Sequence, residues 1–238
     1  MSSRESTVVI GSAGAVPLRL YWWNAQGLKK HVNEWRDYLF RHGASFCGVS
    51  ETWLWGECMS DARFQWLRGP ERPPHAATSR VRGGMGALVP RALEAAVVRT
   101  DTHSFWVRLT MREARRPLFV CTVYAPQRTE RAARDLMWSE LSAAVGALRP
   151  CGELVIGGDL NGRTHANGDT TEDAAGREVT AFCANMGFVA ANHLEIADGE
   201  FSYHLLRADG STLCSTIDYA LVQASLLPQG AVQEFAQD

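Results

Sequence analysis

The stretch Val155–His165, VIGGDLNGRTH, decides how the chain is read. An apolar run climbs to two glycines, and a carboxylate, Asp159, and a carboxamide, Asn161, then stand one residue apart. A short run of Val and Ile bounded by glycine is a buried strand. At the end of such a strand the intervening Leu160 turns back to the core, so Asp159 and Asn161 project toward one edge. A turn with Asx hydrogen bonds uses the same residue types. A metal or phosphate site is the other reading, and it requires partners elsewhere in the chain.

Partners of that kind recur. Strand candidates are 18–23, 46–50, 87–90, 104–110, 118–124, 153–157, 201–205 and 217–222, rich in Val, Ile, Leu and aromatics and punctuated by Gly and Pro. The first delivers Asn24 in WWNAQGL, the second Glu51 in GVSETWL, and the fifth ends in Tyr124 of VYAP. The last begins with Asp218 in STIDYALV. Helical spacing over 30–42 puts Val32, Trp35, Leu39 and Phe40 on one face. Ala132, Leu136, Leu141, Val145 and Leu148 share a face over 129–148, and Val179, Phe182 and Cys183 mark 174–186, closed by Gly187. Many strands with few helices indicate a layered α/β domain, two sheets packed face to face and flanked by helices.

Composition narrows the classes. At 238 residues the chain suits one domain with a sizeable core, here 17–238 behind a loose extension over 1–16. With 46% apolar and 21% charged residues it is ordinary for a globular protein, and no apolar run approaches a membrane span. The six cysteines form no C-x-x-C pair and read as free thiols of a reducing intracellular compartment. A net charge of −2 argues against coating nucleic acid by bulk attraction, but not against gripping a few phosphates. Nearly all positive charge is arginine, with Lys29 and Lys30 the only lysines. Arginine forks suit phosphate oxygens, and a composition bias explains them equally well.

The strand ends thus gather amides, carboxylates and a phenol, with no cysteine or histidine cluster. Hard oxygen donors suit Mg²⁺, which binds through one or two carboxylates, water and substrate phosphate. Such an ion polarises a phosphoryl oxygen and steadies a departing oxyanion. Arg80 and Arg82, beside Gly83 and Gly84, are candidates to contact a DNA backbone. Trp22, Trp23, Trp53 and Trp55 lie at strand ends, where aromatics can stack on bases. His165, six residues past Asp159, reads as a surface-loop residue with Thr164 and Asn167.

WNAQGL, SETWL, VYAP, GGDLNGR and S-T-IDYAL, in this order and spacing, resemble the endonuclease/exonuclease/phosphatase superfamily. GDLNGRTHANGDTTEDAAGREVTAFCANMGFVAAN and FSYHLLRADGSTLCSTIDYALV resemble most the endonuclease domains of non-LTR retrotransposons. The resemblance implies a DNase I-like four-layer α/β sandwich. It implies that Glu51 holds the metal with Asn24 beside it, Mg²⁺ or Mn²⁺. Asp159 would align or deprotonate the attacking water, Asn161 bind the scissile phosphate and Tyr124 meet the developing charge. Ser202 would contact a phosphate, and Asp218 would orient a catalytic histidine. The family's Ser-Asp-His strand has no counterpart in SLLPQGAVQEFAQD, so the sandwich is expected to lack its last strand and the nuclease to be impaired. His193 and His204 could stand in only from different strands. The implied activity is nicking of double-stranded DNA to prime reverse transcription, by a monomeric nuclear domain whose parent polyprotein carries the reverse transcriptase. A phosphomonoesterase of the same fold, and a DNA-binding remnant that does not cut, are the alternatives.

Overall fold

Along the strand Leu18–Asn24, Leu20 and Trp22 point one way and Tyr21 and Trp23 the other, and all four are buried. A strand buried on both faces needs a layer on each side. The computed structural model supplies both, and it describes residues 5–10, 17–71, 83–111, 114–165, 169, 171–193, 197–198, 203–206, 212–215, 217–227 and 232–237.

In chain order the strands are β1 Glu5–Ile10, β2 Leu18–Asn24, β3 Phe46–Ser50, β4 Phe64–Arg68, β5 Met85–Pro90, β6 Glu94–Thr100, β7 Ser104–Thr110, β8 Leu118–Tyr124, β9 Glu153–Asp159, β10 Phe188–Ala190, β11 Ala197–Asp198, β12 Tyr203–Leu206, β13 Thr212–Ser215, β14 Asp218–Gln223 and β15 Val232–Gln237. The helices are α1 Val32–Arg41, α2 Arg131–Leu148 and α3 Ala174–Met186. One sheet runs β11-β15-β1-β2-β3-β5-β4, the other β10-β14-β9-β8-β7-β6, and β12 and β13 form a hairpin of their own. Both large sheets are mixed: β2–β3 and β8–β9 are parallel pairs among antiparallel ones.

Three apolar clusters define four layers. Leu20, Trp22, Phe46 and Val89 of the first sheet meet Val107, Val120, Val155 and Val222 of the second in the central layer. Tyr21, Trp23, Cys47 and Val49 face Val32, Trp35 and Leu39 of α1. Cys121, Val123 and Ile156 face Met137, Leu141 and Val145 of α2 and Val179 and Phe182 of α3. This is the DNase I-like sandwich that the resemblance implies.

Trp22 is the side chain that bridges the sheets. Its indole N–H donates across the interface to the carbonyl of Cys121 at 3.0 Å. A Cβ on Gly157 would lie 2.3 Å from the indole, and one on Gly48 would lie 2.1 Å from Thr122 Oγ1 and 2.8 Å from the indole. The first glycine of VIGGD is therefore the space that Trp22 occupies. The second, Gly158, takes φ 131° and would drive a Cβ to 2.1 Å from the carbonyl oxygen of Val123, so only glycine serves there.

Four sequence expectations need correction. Residues 5–10 are not a loose extension: the strand with their β-branched run Thr-Val-Val-Ile pairs antiparallel with β2 and with β15. The expected loss of the last strand does not hold either, since Val232–Gln237 form a strand between β11 and β1. Phe40 is 61% exposed, so it stands apart from the buried face of Val32, Trp35 and Leu39. On α2 the buried stripe is Arg134, Met137, Leu141, Ala144 and Val145, and Leu136 is exposed. The edge strand β6 escaped notice because most of its residues are exposed or half-exposed and give no buried alternation.

Substituting alanine at Gly157 should cost about 1–3 kcal/mol, the usual penalty for overpacking a filled core. Alanine at Gly146 on α2, where a Cβ meets nothing within 4 Å, should stabilise by up to about 1 kcal/mol. Midpoints of urea unfolding check both, and equal midpoints for the two variants would contradict the assignment of Trp22 to that space.

Candidate active site

The site sits where both sheets end. Backbone ladders continue past the strands and lock the loops that carry the polar residues. Ala25 N donates to Ser50 O at 3.0 Å, and Gly27 N to Glu51 O at 2.9 Å. Ala125 N donates to Asp159 O at 2.8 Å, and Leu160 N to Ile217 O at 2.9 Å. In register, Tyr124 pairs with Asp159, and Asp159 with Asp218. Asn24 pairs with Ser50, the residue before Glu51.

Side chains then converge as the sequence reading required. Tyr124 donates its hydroxyl to Glu51 Oε1. Asn24 Nδ2 donates to Asp159 Oδ2 at 3.4 Å, and Asn161 N to Asp159 Oδ1 at 3.0 Å. Leu160 is fully buried among the α2 and α3 contacts, as the spacing implies. Asn161 Nδ2 also donates to Ala125 O at 2.8 Å, which holds the amide across the β8 end. Glu51 and Asn161 take φ 49° and 50°. Such conformations cost about 1–3 kcal/mol for ordinary residues and persist where the surroundings dictate them.

Asp159 and Asp218 are both buried, and no ion pair among the described residues involves Asp159 or Glu51. Burial, the Asp218 charge and the Glu51 charge push the Asp159 carboxyl well above its usual range, against the lowering effect of the hydrogen bonds from Asn161 and Asn24. Among the described residues no group of three or more His, Cys, Asp and Glu is arranged to hold a metal. A hard cation with one or two carboxylates needs no such group. Asn24 Oδ1 is buried with no hydrogen-bond partner, and it stands on the amide whose nitrogen meets Asp159. An orphaned buried acceptor beside carboxylates suits a divalent cation, which Glu51 and Asn24 could hold.

Several residues that the sequence reading did not single out position this group. Arg134 is 1% exposed on α2 and donates from Nη1 to Pro126 O at 3.0 Å and Leu160 O at 3.2 Å. Its Nε meets Glu178 Oε2 at 2.7 Å, which also accepts from Trp138 Nε1 at 2.9 Å. The guanidinium thus ties the loop after Tyr124 to the residue between Asp159 and Asn161. An arginine at i with Met137, Leu141 and Val145 at helical spacing was the available signal. Tyr219 donates to Gly162 O at 3.0 Å, and burial raises its phenol far above the ordinary value, so it remains a donor. Asn192 brackets β14, donating to Asp218 O and accepting from Ala220 N, both at 3.0 Å. Gly176 packs on Arg163 so closely that a Cβ would lie 1.8 Å from its carbonyl oxygen, so only glycine fits at that point of α3.

His103, buried at 6% exposure, was also passed over. Its carbonyl accepts from Tyr124 N at 3.0 Å, and it lines a cleft of about 170 Å³ with Glu71, Gly84, Met85, Thr102 and Tyr124. His165 is exposed, as expected, but its neighbour Thr164 is buried beneath Tyr219, contrary to the surface-loop reading. Trp22 and Trp23 are core, whereas Trp53 and Trp55 are exposed. Ser202, Arg80 and Arg82 lie outside the described residues, as do the side chains of His193 and His204.

A family model described as the Endonuclease/Exonuclease/phosphatase family matches residues 21–235. No curated protein matches the chain. Among solved structures, the endonuclease domain of TRAS1, a telomere-specific non-LTR retrotransposon, is 16% identical over 89% of this chain and 88% of that one, with a TM-score of 0.67. The human Nocturnin catalytic domain with bound sulfate is 14% identical over 91% and 85%, at 0.60. The 3′ phosphatase NExo from Neisseria, bound to product DNA hairpin, is 13% identical over 86% and 85%, at 0.57. At these identities the likeness is one of fold.

Two measurements test the site's energetics. A carboxyl whose folded value is raised contributes stability below its unfolded value and loses it as pH rises through the folded one. The Tm of metal-free protein should therefore fall as pH climbs from the ordinary carboxylate range toward neutrality. Asp159→Asn should flatten that fall and raise the Tm at neutral pH, and parallel curves for the two proteins would refute the burial argument. Arg134→Met should cost near the low end of the about 3–5 kcal/mol for breaking a buried pair, because Glu178 keeps 31% of its side-chain surface in water. Chemical denaturation reads that loss.

Proposed function

The chain belongs to the Endonuclease/Exonuclease/phosphatase family, and from that premise we propose that it is a Mg²⁺-dependent phosphodiesterase that nicks double-stranded DNA. The observation that carries this reading is the junction of Asn24, Glu51, Tyr124, Asp159 and Asn161 at one end of both sheets.

Glu51 and Asn24 would hold the cation, and Mn²⁺ would satisfy the same oxygen donors. The bound cation would supply charge to a phosphoryl oxygen and the leaving oxygen. Asp159 aligns the attacking water and takes its proton, for which a raised carboxyl is suited. Asn161, fixed by Ala125 O and by its own N–H to Asp159, keeps a second amide hydrogen for the scissile phosphate. Tyr124 presents a hydroxyl proton that a developing oxyanion would take over from Glu51. Burial first, and then the charge of Asp218 in register beside it, keep Asp159 basic.

The retrotransposon reading rests on the GDLNGR, AAGREVTAFCANMGFVAAN and IDYAL segments. On it, the nick provides the 3′-hydroxyl for reverse transcription, in the nucleus, and the parent polyprotein supplies the reverse transcriptase. A phosphomonoesterase acting on inositol phosphates or nucleotides is the second reading, favoured by Arg163 directly after the GDLNG turn.

Supercoiled plasmid with Mg²⁺ separates the two. The protein should relax the plasmid by single nicks and be silent in EDTA. Tyr124→Phe should lower kcat about 10²–10³-fold, as loss of one oxyanion donor does. Asp159→Asn should lower it about 10²–10⁴-fold, the usual contribution of a positioned base. Intact plasmid together with phosphate released from an inositol phosphate would overturn the endonuclease reading.

A further inference from the structure

The chain leaving Glu51 holds an aromatic ring in an unusual way. Trp53 takes φ 54°, a conformation that bulky side chains avoid. Neighbouring backbone dictates it: Trp53 N donates to Gly83 O at 2.9 Å, Thr52 N to Gly84 O at 3.3 Å, and Leu28 N to Thr52 O at 3.0 Å. The indole is seated on Gly27, where a Cβ would stand 2.8 Å from Trp53 Cε3 and where φ is 104°. Only glycine leaves room for the ring on that loop. Yet Trp53 is 39% exposed, while Trp22 and Trp23 are 2% and 7% exposed. An exposed ring held on strained backbone points beyond packing, because such strain is retained where a site requires a set geometry.

Gly27 lies three residues after Asn24, and Trp53 two after Glu51. The indole therefore rests on the two loops that carry the proposed metal ligands. We infer that Trp53 is a stacking platform for a nucleobase next to the phosphate that is cut. The inference rests on the phosphodiesterase reading and sharpens its substrate class: the strand must offer a base able to leave its own stack. Stacking on an aromatic ring tolerates any base, because each has a π-face. It also supplies affinity without positive charge, which suits a chain of net charge −2. A ring already fixed by Gly27 loses little freedom when the base arrives.

The test is steady-state cleavage by the full chain with Mg²⁺ of oligonucleotide duplexes in which single nucleotides flanking the cut are replaced, one at a time, by an abasic tetrahydrofuran residue. For the native protein, one position should raise KM about 5- to 150-fold, the loss of one base stack. Trp53→Ala should raise KM by a similar factor on the unmodified duplex and become indifferent to that abasic position. Trp53→Phe should recover part of the affinity. Trp53→Leu, which keeps apolar bulk on Gly27 without a π-face, should behave like Trp53→Ala, and it keeps the test decisive if the alanine variant of Trp53 does not fold. In the Asp159→Asn background, oligonucleotide binding should quench tryptophan fluorescence less once Trp53 is replaced. An equal abasic penalty in the native protein and in Trp53→Ala overturns the stacking role while leaving the nuclease intact. A native protein that cuts none of these duplexes overturns the nuclease reading and this inference together.

Discussion

Trp22 against Gly157 is the contact on which the remainder of the sandwich depends. The indole fills the gap between the sheets and donates to Cys121 on the far one. Its ring needs a partner strand without a Cβ, and β9 provides one two residues before Asp159. Because β2 also carries Asn24 two residues after Trp22, the same contact sets Asn24 against Asp159. Packing of the core and spacing of the site are thus one constraint. Side chains in a close-packed interior have little slack, so a shift at Trp22 would be felt at the strand ends.

The site is built at a cost that the scaffold offsets. Two buried carboxylates lie in register, a third bears on them, and Glu51, Trp53 and Asn161 hold left-handed backbone. None of this favours the folded chain in isolation. The ladders that run on from β2, β3, β8 and β9 hold the loops in place, and Arg134 ties two of them from beneath. A cation between Glu51 and Asn24 would relieve the like charges and satisfy Asn24 Oδ1.

Much of this was legible in the residues. Apolar runs gave β3, β7 and β8 at their observed bounds, and Gly187 marks the end of α3 as a left-handed cap at φ 66°. Asn24, Glu51, Tyr124 and Asp159 could be picked out because each is a polar residue at the mouth of a buried strand. For Arg134 the sequence offers only its spacing with Met137, Leu141 and Val145, because an arginine within a helix most often lies in solvent and its partners, Pro126 O, Leu160 O and Glu178, come from three other segments. β1 and β15 were missed for a related reason. β1 gains its place by pairing with β15 and β2, and β15 by pairing with β1 and β11, and a short strand has little local signal of its own.

The sequence by itself determined which chemistry is possible. Residue type sets hard oxygen donors rather than thiolates, and the alternation Asp159-Leu160-Asn161 sets two polar groups outward and one apolar group inward. Tertiary structure alone decided what VIGGD is for and what surrounds it. Gly157 and Gly158 are demanded by Trp22 and by the Val123 carbonyl, atoms far away in the chain. The raised carboxyl of Asp159 likewise depends on its burial and then on Asp218 and Glu51, which only the closing of two sheets provides. Local periodicity acts through neighbouring bonds, whereas burial, clash and charge act through space.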